Sequence, residues 1–118
     1  VRIAAFALPL LFCAATPAYA TGGFFCQTGG AKPIAVNLVF SHAAGAGLVE
    51  ANLTEDGVAV PTDKAQWWID GNELRVILVD PNAEREEVVV KARGRGSVMT
   101  GTLQRGGRSY RVRCEESG

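Results

Sequence analysis

The stretch Met99–Cys114, "MTGTLQRGGRSYRVRC", decides how this chain folds. At its centre, Gly106-Gly107 tolerates the positive φ that a two-residue hairpin turn demands. With that turn, Leu103 faces Tyr110, Gly101 faces Val112 and Met99 faces Cys114. Side chains alternate with period two along a strand, so all six fall on one face. The stretch also ends on a cysteine, and the rest of the chain offers it two companions, Cys13 and Cys26.

The choice between those companions follows from the first residues. Arg2 supplies a positive charge, Ile3–Ala15 is an almost unbroken apolar run, and Pro17 precedes Ala18-Tyr19-Ala20. A charged start, an apolar core of about 7–15 residues and an A-x-A site are the parts of a secretory signal peptide. A spanning helix needs about 20 apolar residues and lacks that ending. Residues 1–20 therefore read as a cleaved signal, with no stable membrane insertion once it is removed. Cys13 follows Phe12 rather than a small residue, so it reads as an apolar member of the signal core and not as a lipid-attachment site. The mature part, 21–118, keeps Cys26 and Cys114. An even pair in an exported chain reads as a disulfide, and the compartment as periplasmic or secreted.

Residues 21–118 suggest one domain. Helical periodicity is nearly absent, and short β-branched runs are punctuated by Gly, Asp and Asn, an all-β pattern. The runs predict strands at Phe24–Gln27, Ile34–Ser41, Gly47–Thr54, Val58–Pro61, Ala65–Ile69, Leu74–Asp80, Glu87–Arg93, Val98–Gln104 and Ser109–Glu115. Asp56-Gly57 and Gly106-Gly107 are hairpin turns, and either Asp70-Gly71 or Gly71-Asn72 makes a third. These registers put Leu53 opposite Val60 and Trp67 on the face of Leu74 and Val76. One inner face then collects Ile34, Val36, Leu38, Phe40, Val49, Ala51, Leu53, Trp67, Leu74, Val76, Leu78, Val88, Val90, Met99, Leu103, Tyr110 and Val112. Bonded cysteines near opposite ends make the first and last strands neighbours, because their Cβ atoms must come within about 4 Å. A meander whose ends meet is a small antiparallel up-and-down β-barrel, of about eight strands. A two-sheet β-sandwich is the alternative.

The same registers place Trp68, Ile77, Val79 and Val89 outward on consecutive strands, an apolar patch of the kind that marks a contact site. Charge is lopsided: residues 22–87 hold four Lys/Arg and ten Asp/Glu, residues 88–118 hold seven and two. Lys91, Arg93, Arg111 and Arg113 point outward, and Arg105 and Arg108 flank the last turn. This is either a surface for an anionic partner or a solvated face whose arginines pair with Glu86, Glu87 or Glu50 across strands. A formal net charge of +0, without an interleaved aromatic-basic motif, argues against nucleic acid.

Chemistry-bearing constellations are missing. His42 is the one histidine, in the small-residue loop "SHAAGAG" at 41–47. A structural zinc site needs four ligands, and no cysteine remains for it once the disulfide forms. Ser41 or Ser109 with His42 and Asp80 supplies the residue types of a hydrolase triad, but no nucleophile-elbow motif accompanies them. Asp63 and Asp70 read as turn residues. "GAGL" at 45–48 precedes no helix, so it is no phosphate loop. The chain reads as non-catalytic, with no cofactor and no metal.

"FFCQTGG" at 24–30 and "YRVRC" at 110–114 resemble the framework of the periplasmic C-type lysozyme inhibitor (MliC-like) barrels. That resemblance implies an exported eight-stranded antiparallel barrel with a cysteine near each end. The family's inhibitory loop is of Ser-Gly-x-x-Tyr type. The nearest string here, "GGRSY" at 106–110, has Gly107 and Tyr110 but no serine before the glycine, so no inhibitory residue carries over. The expected function is an exported binding module whose partner is another protein or a cell-envelope component, inhibition of a cell-wall-cleaving enzyme being its most specific form. A lipocalin-like carrier of small apolar ligands is the alternative, although an eight-strand interior is only just wide enough for its own side chains.

Overall fold

The alternating runs become nine antiparallel strands of a single sheet. They are β1 Thr21–Thr28, β2 Ile34–Ser41, β3 Leu48–Glu55, β4 Val58–Val60, β5 Asp63–Ile69, β6 Glu73–Val79, β7 Glu86–Arg95, β8 Val98–Arg105 and β9 Arg108–Ser117. The structure is a computed structural model and describes residues 21–41 and 47–117. Residues 1–20, with the expected signal peptide and Cys13, lie outside the described residues, as does His42.

The strand order is β4-β3-β2-β1-β9-β8-β7-β6-β5. Every sequential neighbour except β4 and β5 is paired, and the chain's two end strands pair with each other. The sheet curls on itself as a half-barrel, nine strands rather than about eight. Cys26 stands directly opposite Cys114 in the β1–β9 ladder, and the disulfide joins them across 88 residues of sequence. In the strand order this pair sits mid-sheet, so the bond staples the β1–β4 half to the β5–β9 half.

Register follows turn chemistry. Asp56 and Gly57 have φ of 53° and 80°, Gly106 and Gly107 of 59° and 78°, as their hairpins require. Leu53 then meets Val60, and Leu103, Gly101 and Met99 meet Tyr110, Val112 and Cys114. The third turn closes differently. Ile69 pairs with Leu74, the Asp70 amide donates to the Glu73 carbonyl at 3.0 Å, and Gly71-Asn72 is the central pair. Neither residue adopts positive φ. The Asp70 carboxylate instead accepts the amides of Asn72 and Glu73 at 2.7 and 2.9 Å, an Asx turn.

The concave side is filled by the expected alternation: Leu38, Leu53, Leu74, Leu78, Met99 and Leu103 are fully buried, with Val36, Val76, Val88 and Val90 among them. Phe24, Ile34, Phe40, Leu48, Ala92, Val112 and both disulfide cysteines complete this core, with Ala51 and Tyr110 among the residues packed against it at its margin. Gly101 lies opposite Ala92 and Val112. A Cβ at Gly101 would run into the Lys91 carbonyl, so the two strands approach there as only glycine permits.

Two inner residues depart from the expected alternation. Val49 is 52 % exposed. The β2–β3 register steps from Val39↔Glu50 to Phe40↔Leu48, which leaves Val49 as the extra residue of a β-bulge and turns Leu48 inward in its place. Trp67 faces the concave side opposite Val76 but is 44 % exposed. It lies on β5, an end strand of the sheet, where no further strand covers it. Its ring meets Phe40 edge-on at 6.1 Å between centroids.

The ladder also stops between β4 and β5. β4 is three residues long, and Pro61, which has no N–H to donate, follows it directly. The chain then crosses to β5 without a hairpin. Side chains bridge the seam: Lys64 Nζ donates to the Val49 carbonyl at 3.1 Å, and the Phe40–Trp67 contact lies across it. At one end of the curl, Arg105 of β8 reaches Glu55 of β3 at 2.8 Å and Glu87 of β7 at 3.1 Å, with its side chain only 18 % exposed. Glu87 is the extra residue of a second bulge, between Leu78↔Val88 and Val79↔Glu86, which aims its carboxylate at the arginine. Burial opposes the Arg105 charge, but the two carboxylates outweigh it and hold the guanidinium pKa above its ordinary value.

Candidate binding site on the outer sheet face

On the convex side, cross-strand pairing arranges outward side chains in rows. One row runs Trp68–Arg75–Lys91–Thr102–Arg111 from β5 to β9. The next runs Gln66–Ile77–Val89–Gln104–Ser109 over the same strands. Between β5 and β7 the two rows line an open groove of about 620 Å³ that includes Gln66, Trp68, Arg75, Ile77, Val89 and Lys91. Trp68 is 51 % exposed, and the Arg75 guanidinium carbon lies 5.7 Å from its ring centre, within cation–π range.

The structure thus brings Trp68, Ile77 and Val89 together. Val79 stands apart: it is half-buried, does not line the groove, and has Asp63 and Glu86 as its cross-strand neighbours. The four outward cations divide in the same way. Arg93 lies 3.9 Å from Glu73, and Arg113 lies 2.7 Å from Glu115. Such exposed pairs contribute little, about 0–1 kcal/mol. Lys91 and Arg111 have no carboxylate within ion-pair distance among the described residues. Arg93 and Arg113 take Glu73 and Glu115 rather than the Glu86 or Glu50 that the sequence suggests, whereas Arg105 pairs with Glu87 across strands as expected, and Arg85 shares that carboxylate.

Gln66, Arg75, Thr102 and Gln104 join the surface without having been singled out in the sequence. The signal for Arg75 was present. It alternates with Ile77 and Val79 on β6, so it shares their outward face.

A second concavity, of about 460 Å³, opens at one end of the curl, where Phe24, Phe40, Trp67, Ile69 and Met99 line it together with small residues such as Gly23 and Gly47. The interior behind it is occupied by the buried leucines and valines.

Asp80, one member of the triad that could be assembled from residue types, is occupied as a loop anchor. Its Oδ1 accepts the amides of Glu84 and Arg85, each at 2.7 Å, and its Oδ2 that of Asn82 at 3.2 Å. The Arg85 amide holds its pKa below the ordinary carboxylate value; desolvation opposes this, and the Glu84 and Asn82 amides and the Arg85 charge add to the lowering. A depressed folded-state pKa contributes stability above the unfolded-state pKa, and that contribution is lost as pH falls through the folded value. Asp80→Asn therefore lowers the urea midpoint at neutral pH, and the gap to wild type shrinks in acid, as pH falls through the depressed folded-state pKa. Equal gaps at neutral and acid pH would show that the charge on Asp80 plays no part. Among the described residues, no group of three or more His, Cys, Asp or Glu is placed to hold a metal ion.

Comparison with protein-family models, curated proteins and solved structures finds no match to this chain.

Proposed function

We propose that this protein is an exported, non-catalytic binding module of the cell envelope, acting through the outer face of β5–β7. The carrying observation is the groove that gathers Trp68, Ile77 and Val89 beside Arg75 and Lys91. Half-exposed tryptophan and arginine are the side chains most enriched where binding energy concentrates. The rest of the fold supports this use. A curled sheet stapled at its middle holds the outward rows rigid, so little conformational entropy is lost when a partner docks. The Cys26–Cys114 disulfide is compatible with an exported, oxidising location, periplasmic or secreted. In its most specific form the partner is a cell-wall-cleaving enzyme and the module its inhibitor; more broadly it is any component of the envelope that presents negative charge.

Affinity capture from a cell-envelope fraction tests the reading. A component retained by wild type is released by Trp68→Ala, while Val58→Ala, at an exposed apolar residue of β4 outside the groove, retains it. Identical retained components for all three proteins, or none, would sink the proposal.

A further inference from the structure

Resting on the broader form of that reading, a negatively charged component of the envelope, we infer that the occupant of the outer face is a linear acidic glycan lying across strands β5–β9 along the row Trp68–Arg75–Lys91–Thr102–Arg111. Adjacent strands are about 4.8 Å apart, so the row extends for about 19 Å and sets Lys91 and Arg111, two strands apart, about 10 Å from each other. That separation suits acidic groups placed on alternate sugars of a chain. Both cations lack a carboxylate partner among the described residues. Neither is therefore committed to an internal pair, and a carboxylate on the ligand completes it by a charge-assisted hydrogen bond.

The neighbouring side chains suit the rest of a sugar. The exposed indole of Trp68, with Ile77 and Val89 in the adjoining row, offers apolar surface to the C–H face of a pyranose ring. Gln66, Thr102 and Gln104, interleaved in the two rows, offer amides and a hydroxyl to its hydroxyl groups. Charge also sets the track's boundary. On the far side of Ile77 the outward neighbours are Asp63 and Glu86, flanking Val79, and they repel an acidic chain that drifts that way. A folded acidic protein fits less well. It needs about 800 Å² of contact from each partner, and the core of such an interface is depleted in lysine, whereas Lys91 is at the middle of this row.

Affinity electrophoresis with polygalacturonate in the gel, and dextran as the neutral control, tests the inference. Wild type is retarded by polygalacturonate and not by dextran, and added salt weakens the retardation. Trp68→Ala, Lys91→Ala and Arg111→Ala each weaken binding about tenfold, the worth of one charged hydrogen bond or one stacked ring. Arg95→Ala, at the β7–β8 turn beyond the row, binds as wild type does. No retardation of wild type at low salt would overturn the inference. So would an Arg95→Ala loss equal to that of Lys91→Ala, because binding would then follow net charge rather than the row. A protein captured from the envelope in a Trp68-dependent manner, with no retention by polygalacturonate, would overturn the glycan and leave the binding module standing. Failure of both experiments would remove both.

Discussion

Replacing Cys26 and Cys114 together by alanine lowers the unfolding free energy by about 4–5 kcal/mol, the chain-entropy worth of closing so long a loop. For a domain of this length that lowers the melting temperature by about 20 °C. The size of the effect comes from the 88-residue separation and from where the bond sits. β1 and β9 occupy the middle of the strand order. Among the described residues, their ladder is the one backbone ladder between the β1–β4 half and the β5–β9 half, because the sheet is not closed between β4 and β5. Without the disulfide, the two halves of the curl are held by the β1–β9 ladder, by the seam contacts of Lys64 and Trp67, and by the Arg105 bridge to Glu55. Thermal and urea unfolding of wild type, reduced wild type and the double variant measure the loss. A change below about 1 kcal/mol would mean that these noncovalent ties alone fix the ends.

Leu103→Ala costs about 2–5 kcal/mol, through lost burial and the cavity left behind. Leu103 is fully buried on β8, between Val90 and Tyr110 in the ladder. The surrounding side chains belong to paired strands and have little freedom to close the gap. Val49→Ala, by contrast, changes stability by no more than about 0.5 kcal/mol. By simple alternation along β3, Val49 shares the face of Ala51 and Leu53, and it was expected to be buried with them. The bulge removes it. Urea unfolding of the two variants side by side checks the register as well as the packing: a large cost at Val49 would contradict the bulge, and a small one at Leu103 would contradict the inward face of β8.

The particular residues show where local sequence is a sufficient guide. Gly106-Gly107 and Asp56-Gly57 take positive φ because their types tolerate it, and once a two-residue turn is placed every pair along both strands follows. That is why Met99↔Cys114 and Leu53↔Val60 were legible before any coordinates. Asp70 shows the limit. The Asp-Gly dipeptide is compatible with a positive-φ turn, yet its carboxylate captures two amides and the backbone follows that bond instead. The outward positions of Trp68, Ile77 and Val89 were readable from alternation, but that they form one groove with Gln66, Arg75 and Lys91, and that Val79 lies apart from it between two acids, was not. Those facts depend on which strands lie side by side and on bulges at Ala65 and Glu87 that shift the rows.

By itself, then, the sequence determined an all-β chain of short strands, the register of its tight hairpins, the inward face of most strands and the cysteine pair that joins the ends. Each rests on interactions within a few residues or on a covalent partner that can be counted. The tertiary structure alone decided that the sheet stops at a seam rather than closing, that Val49 and Trp67 are left about half exposed, and that Arg105 spans the curl to Glu55. It also left Lys91 and Arg111 without acidic partners while Arg93 and Arg113 found theirs. These outcomes turn on distances between residues far apart in the chain, where a single extra residue in one strand redirects its neighbours and no local pattern records the change.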